Sequence, residues 1–119
     1  MNADKRARLA YLAGSVIGNQ SIRVLYDRSR EKSLKGEENL LFQHVFKHGP
    51  ERNCKVKRDP QGANFCILTE TGQHLCFSVH GRLFDGFDHQ SGCHFSGHVL
   101  DNTVSLFDYS ASDYFCYRF

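Results

Sequence analysis

The chain has no tryptophan, one methionine and two prolines in 119 residues. Two prolines against ten glycines favour turns made by glycine. No stretch approaches about 18 apolar residues, so no segment is expected to span a membrane. The opening MNADKRARLAYLAGSVIGNQ does not read as a secretion signal, because its longest uncharged run, Leu9 to Ile22, carries Gly, Ser, Asn and Gln. The five cysteines (Cys54, Cys66, Cys76, Cys93, Cys116) are odd in number, and no CxxC occurs. That excludes a regular disulfide framework and a zinc-finger pattern. Reduced thiols in a cytoplasmic protein are the simplest expectation, with Cys66, Cys76 and Cys116 acting as small hydrophobes in apolar runs. There is also no GxSxG, P-loop, HExxH or dinucleotide glycine motif. The expectation is a chain without cofactor that is not an enzyme.

What is present is a globular balance: 40% hydrophobic and 24% charged residues, with the apolar bulk in ten Phe and five Tyr. Residues 1–119 form one domain at this length. The net charge of +2 conceals two unlike halves. Residues 1–60 carry 13 Lys/Arg and 7 Asp/Glu, and residues 61–119 carry 2 and 6. A uniformly basic coat is excluded, whereas a local basic patch is not.

Asp4 can cap a helix. Leu9, Leu12, Ala13, Val16 and Ile17 then recur on one helical face, and Gly18-Asn19 supplies a stop, so the spacing predicts an amphipathic helix at about 4–17. Beyond Gly18 the helical period vanishes and a repeat of about 20 residues replaces it. Residues 86–99 align without gaps on 106–119: Phe-Asp-aromatic, a polar stretch, aromatic-Phe, then an apolar residue four later. Fainter echoes place the marker residue near 26, 46, 68, 87 and 107, which suggests five units. Each unit reads as a β-hairpin, degenerate and basic over about 21–62 and regular and aromatic over about 63–119. The fold class is therefore mainly β (α+β): an N-terminal helix and an antiparallel meander, closed or strongly coiled. Turns are expected at Thr69–Gly72, Gln90–Cys93 and Ser110–Asp113. Asp88 and Asp108 precede two of them, where a carboxylate can accept backbone N–H bonds. Strand parity groups Phe107, Tyr109, Phe115, Tyr117 and Phe119 on one face and Val104, Leu106 and Cys116 on the other. Two apolar faces predict a sheet covered on both sides.

The blocks Phe84-Asp85-Gly86-Phe87-Asp88-His89 and Val104-Ser105-Leu106-Phe107-Asp108-Tyr109 resemble the tyrosine–aspartate-rich hairpin repeats of small bacterial and phage proteins of uncharacterised function. The likeness centres on residues 84–119. It implies a short helix before the hairpins and carries no activity with it.

Three site readings follow. His89, Cys93 and His94 surround one turn and offer three metal ligands, although the next unit places Tyr109, Asp113 and Tyr114 there, which suits aromatic packing better. His94 and His98 would lie about 13 Å apart along a strand and cannot share a zinc. A Cys/His enzyme built on Cys76 with His74 has no further supporting motif. Lys47, Arg52, Lys55, Lys57 and Arg58 form a basic strip that is either a solvated strand edge or a nucleic-acid contact. The favoured reading is a non-catalytic protein-interaction module, such as a small inhibitor, immunity or accessory protein of a phage or mobile element. A homo-oligomer through opposite charged ends is the related expectation.

Overall fold

The computed structural model describes residues 1, 3–19, 22–35, 55–58, 64–69 and 72–119. Helix α1 (Ala3–Gly18) is followed by strands β1 (Val24–Asp27), β2 (Lys32–Lys35), β3 (Lys55–Arg58), β4 (Asn64–Thr69), β5 (Gly72–His80), β6 (Leu83–Asp88), β7 (Cys93–Leu100), β8 (Thr103–Asp108) and β9 (Asp113–Arg118). These nine described strands all pair antiparallel in one sheet of order β2-β1-β9-β8-β7-β6-β5-β4-β3. The sheet is open, so the closed alternative is not realised. Strands β3 to β9 form a sequential meander. The first hairpin does not precede it in space: Tyr26 and Asp27 of β1 pair with Arg118 and Tyr117 of β9. A flat sheet of nine strands would be about 38 Å wide at a spacing of ~4.8 Å. The longest dimension is 32 Å, so the sheet curls.

The curl explains why α1 is buried on more than one stripe. Leu9, Leu12 and Ala13 are buried, and so are Ala7, Ala10 and Tyr11. The helix lies against β7, β8 and β9 on the inner face, and the Tyr11 hydroxyl donates to the Ile22 carbonyl at 2.8 Å. Asn19, at φ 52°, makes the left-handed turn that ends the helix.

On the inner face Phe65, Phe77, Phe84 and Phe95 form a continuous ring contact, beginning with a stacked Phe65–Phe77 pair at 5.1 Å. Gly86 and Gly97 sit beside these rings: a Cβ on Gly97 would lie 2.5 Å from Cζ of Phe84, and one on Gly86 2.6 Å from Cζ of Phe95. The missing side chains let the rings lie directly on the strands.

Two parity expectations are corrected. The register pairs Asp108 with Asp113, leaving residues 109–112 as a four-residue turn. Phe107 therefore pairs with Tyr114 on the outer face, while Leu106 pairs with Phe115 inside. The five aromatics of the last unit are thus divided, and Val104, Leu106 and Tyr117 are the fully buried ones. The sheet is also not covered on both sides among the described residues. Leu83, Leu100, Tyr109 and Tyr114 are 58%, 47%, 54% and 64% exposed. The cysteine expectation changes as well: Cys93 and Cys116 are free thiols, but Cys76 is disulfide-bonded. Its register partner across β4–β5 is Cys66. No described helix is long and apolar enough to cross a membrane.

Candidate functional site

Three turns at one end of the sheet share one construction. Asp27, Asp88 and Asp108 are the last residues of β1, β6 and β8, and all three are buried. Each carboxylate accepts the backbone N–H two residues on: Ser29 at 3.0 Å, Gln90 at 3.1 Å and Ser110 at 3.0 Å. Each also accepts a serine hydroxyl, from Ser29, Ser91 and Ser110 at 2.8, 2.7 and 2.6 Å. The turns close on a residue with positive φ: Glu31 (49°), Gly92 (71°) and Ser112 (52°). The expected turn-capping role of Asp88 and Asp108 is therefore what these bonds perform, and Asp27 does the same in the first hairpin.

A buried carboxylate also requires a cation. The first turns of α1 supply two. Lys5 Nζ donates to Asp88 at 2.6 Å, and Arg6 Nη1 to Asp108 at 3.2 Å, beside the Met1 amino group at 3.3 Å. Asp27 takes its partner locally, from Arg30 Nε at 2.6 Å. The Arg6 guanidinium lies 3.8 Å over the Phe115 ring. Burial drives the Tyr117 hydroxyl strongly upward in pKa, and the Asp27 charge adds to this, so the phenol stays neutral.

For all three aspartates burial is the largest single influence and pushes the carboxyl upward. The hydrogen bonds and cations together outweigh it, so each is held below the ordinary value of 3.8. A depressed folded value means that the stabilisation is complete above the unfolded value and is lost as pH falls through the folded ones. Urea unfolding should give nearly equal contributions from these groups at about pH 7 and 5 and a clear decline at about pH 3. The decline should be shallower in Asp88→Asn; equal slopes in the two proteins would contradict the assignment.

These scaffolded hairpins carry an exposed aromatic array on the outer face. Phe87 meets His89 and His94, each at 4.9 Å between ring centroids. His94 meets Tyr109 at 6.5 Å, Tyr109 meets Phe107 at 4.8 Å, and Phe107 meets Tyr114 at 4.7 Å. Six rings thus form one edge-to-face chain across four consecutive strands, β6 to β9, and the turns after β6 and β8. Cross-strand register aligns it, since Phe87 pairs with His94 and Phe107 with Tyr114. Asp85, Ser78 and Ser96 lie beside it in one register row.

The residues singled out by sequence fall in different places. His89 and His94 belong to the aromatic chain, on either side of Phe87. Cys93 pairs in register with Asp88, and its thiol points to the Ser91 carbonyl at 3.5 Å. Among the described residues no three His, Cys, Asp or Glu side chains converge on a metal-sized site. Lys55, Lys57 and Arg58 lie on β3, an edge strand of the sheet. Lys47 and Arg52 lie outside the described residues. The outer face was missed because parity was carried across a turn without its register. The exchange of His94 for Tyr114 and His89 for Tyr109 at one repeat's shift points to aromatic packing at these positions, but not to one exposed chain that joins the two hairpins.

No protein-family model, curated protein or solved structure matches the chain.

Proposed function

We propose that the protein is a non-catalytic protein-interaction module that binds a partner protein through the outer face of its sheet. The observation that carries this reading is the six-ring aromatic chain, left facing solvent at Tyr109 and Tyr114, with exposed Leu83 lining one depression together with Tyr114. Exposed aromatics set on a rigid sheet supply large contact area at low entropic cost, which is how interface anchors are built. The scaffold in this reading is a degenerate array of five hairpin units, of which the Asp-capped ones are the most regular. The role of a small inhibitor, immunity or accessory protein in a bacterial cytoplasm belongs to the same proposal.

The test is affinity capture from host lysate with the native chain and with the Tyr109→Ser/Tyr114→Ser pair, followed by mass spectrometry and by sequencing of any nucleic acid. The expected result is a protein retained by the native chain and lost from the double variant. Equal recovery by both chains would sink the reading. Nucleic acid as the main captured species, released as salt rises, would favour the alternative in which Lys55, Lys57 and Arg58 on the edge strand contact phosphates.

A further inference from the structure

The outer face also has a polarity of its own. Asp85 sits in the middle of β6, with Ser78 and Ser96 opposite it on the two neighbouring strands. The short serines leave the surface low around the carboxylate. Two depressions, of about 350 and 400 Å³, share Asp85 as a wall. Phe87 and His94 bound one, and Leu83, His98 and Tyr114 bound the other. Among the described residues, no Lys or Arg lines either depression. The ionic neighbour of Asp85 is His80, whose Nε2 stands 3.7 Å away, and both side chains are about two-thirds exposed. The contrast with Asp27, Asp88 and Asp108 is direct, because those three are buried and each holds a cation from its own chain.

We propose that the groove around Asp85 receives an arginine- or lysine-bearing segment of the partner protein. This rests on the protein-binding reading above and names the chemistry of its partner. A carboxylate flanked by aromatic rings is complementary to a guanidinium, which can take two hydrogen bonds from the acid and lie flat against a ring. Leu83 and Tyr114 offer apolar contact to the residues on either side of the cation. The groove therefore selects a cation within an apolar segment, not a diffuse positive charge.

The test is a titration of the full-length ¹⁵N-labelled chain, followed by NMR. The probes are the acetylated, amidated pentapeptide Ala-Leu-Arg-Leu-Ala, the same peptide with Glu in place of Arg, and spermidine. The Arg peptide should shift the amides of Ser78, Asp85, Ser96 and Tyr114 saturably, and the Glu peptide should not. Asp85→Asn should weaken binding about fivefold and Tyr114→Ala about threefold. Both positions are exposed, so the remaining spectrum should stay native. Equal shifts with the Arg and Glu peptides, unchanged affinity in Asp85→Asn, or equal binding of spermidine would each overturn the proposal. If the peptides fail while the Tyr109→Ser/Tyr114→Ser pair still loses its captured partner, the cationic groove is wrong and the outer-face reading stands. If that pair keeps its partner, the outer-face reading is itself wrong.

Discussion

Asp108→Ala is expected to remove about 3–5 kcal/mol of folding stability, a large share of the roughly 5–15 kcal/mol of a domain this size. The side chain is fully buried and does four things at once. It closes the turn through the Ser110 N–H at 3.0 Å, binds the Ser110 hydroxyl at 2.6 Å, neutralises Arg6 at 3.2 Å and pairs with the Met1 amino group at 3.3 Å. Truncation leaves the Arg6 charge against the inner face without its carboxylate, and that orphaned cation is the main cost. Asp108→Asn retains an acceptor for the turn and should cost less. Asp113, its register partner, is exposed, so Asp113→Ala should change stability by about 0.5 kcal/mol or less. Urea midpoints at constant m-value measure all three. Similar midpoints for Asp108→Ala and Asp113→Ala would show that the capped turn does not hold the sheet.

Gly97→Ala should rank beside it, at about 3 kcal/mol or more. A Cβ there would stand 2.2 Å from the Ser105 carbonyl oxygen and 2.5 Å from Cζ of Phe84. The ring can rotate away at some loss of packing, but the backbone oxygen belongs to the neighbouring strand and is fixed by its ladder. Gly97→Ala/Phe84→Leu should therefore recover only part of the loss. Gly81 is the control. Nothing lies within 4 Å of its added Cβ, and only its φ of 63° opposes a side chain. Gly81→Ala should cost about 1 kcal/mol. A Gly97→Ala protein as stable as Gly81→Ala would mean that the ring does not lie on the strand as described.

These residues also show what the sequence makes legible. The repeated Asp before each turn is a local signal, and its bonds to the next two or three residues follow from spacing alone. Its cation is not local. Lys5 and Asp88 are 83 positions apart, and Arg6 and Asp108 are 102 apart. By sequence alone, the charge asymmetry of the two halves suggests two ends of opposite sign. In the fold, Asp88 and Asp108 face inward and are neutralised by Lys5 and Arg6 from the other half. Setting those pairs aside, the acidic excess of residues 61–119 falls from four to two. The contrast is therefore partly an internal clamp between helix and hairpins.

Strand content was legible from aromatic and branched runs, but face assignment was not. A four-residue turn between Asp108 and Asp113 reverses which residues of β9 share a face with β8. Alternation within each strand is visible in sequence, whereas the phase between strands is set by the turn. For the same reason the aromatic chain from His89 to Tyr114 was divided among metal and packing readings. The pairing of β1 with β9 joins Tyr26 to Arg118, a contact between distant parts of the chain that no local pattern encodes. That Cys66 and Cys76 stand opposite one another on β4 and β5 is a matter of register, which a spacing of ten residues does not give.

The most direct measurement of the central claim is photo-cross-linking in the host. p-Benzoylphenylalanine replaces Tyr114 on the outer face in one chain and exposed Glu31, in the turn between β1 and β2, in another. A discrete adduct with one partner protein is expected from position 114 and none from position 31. The same adduct from position 31 with none from 114 would place the working surface elsewhere and contradict that claim.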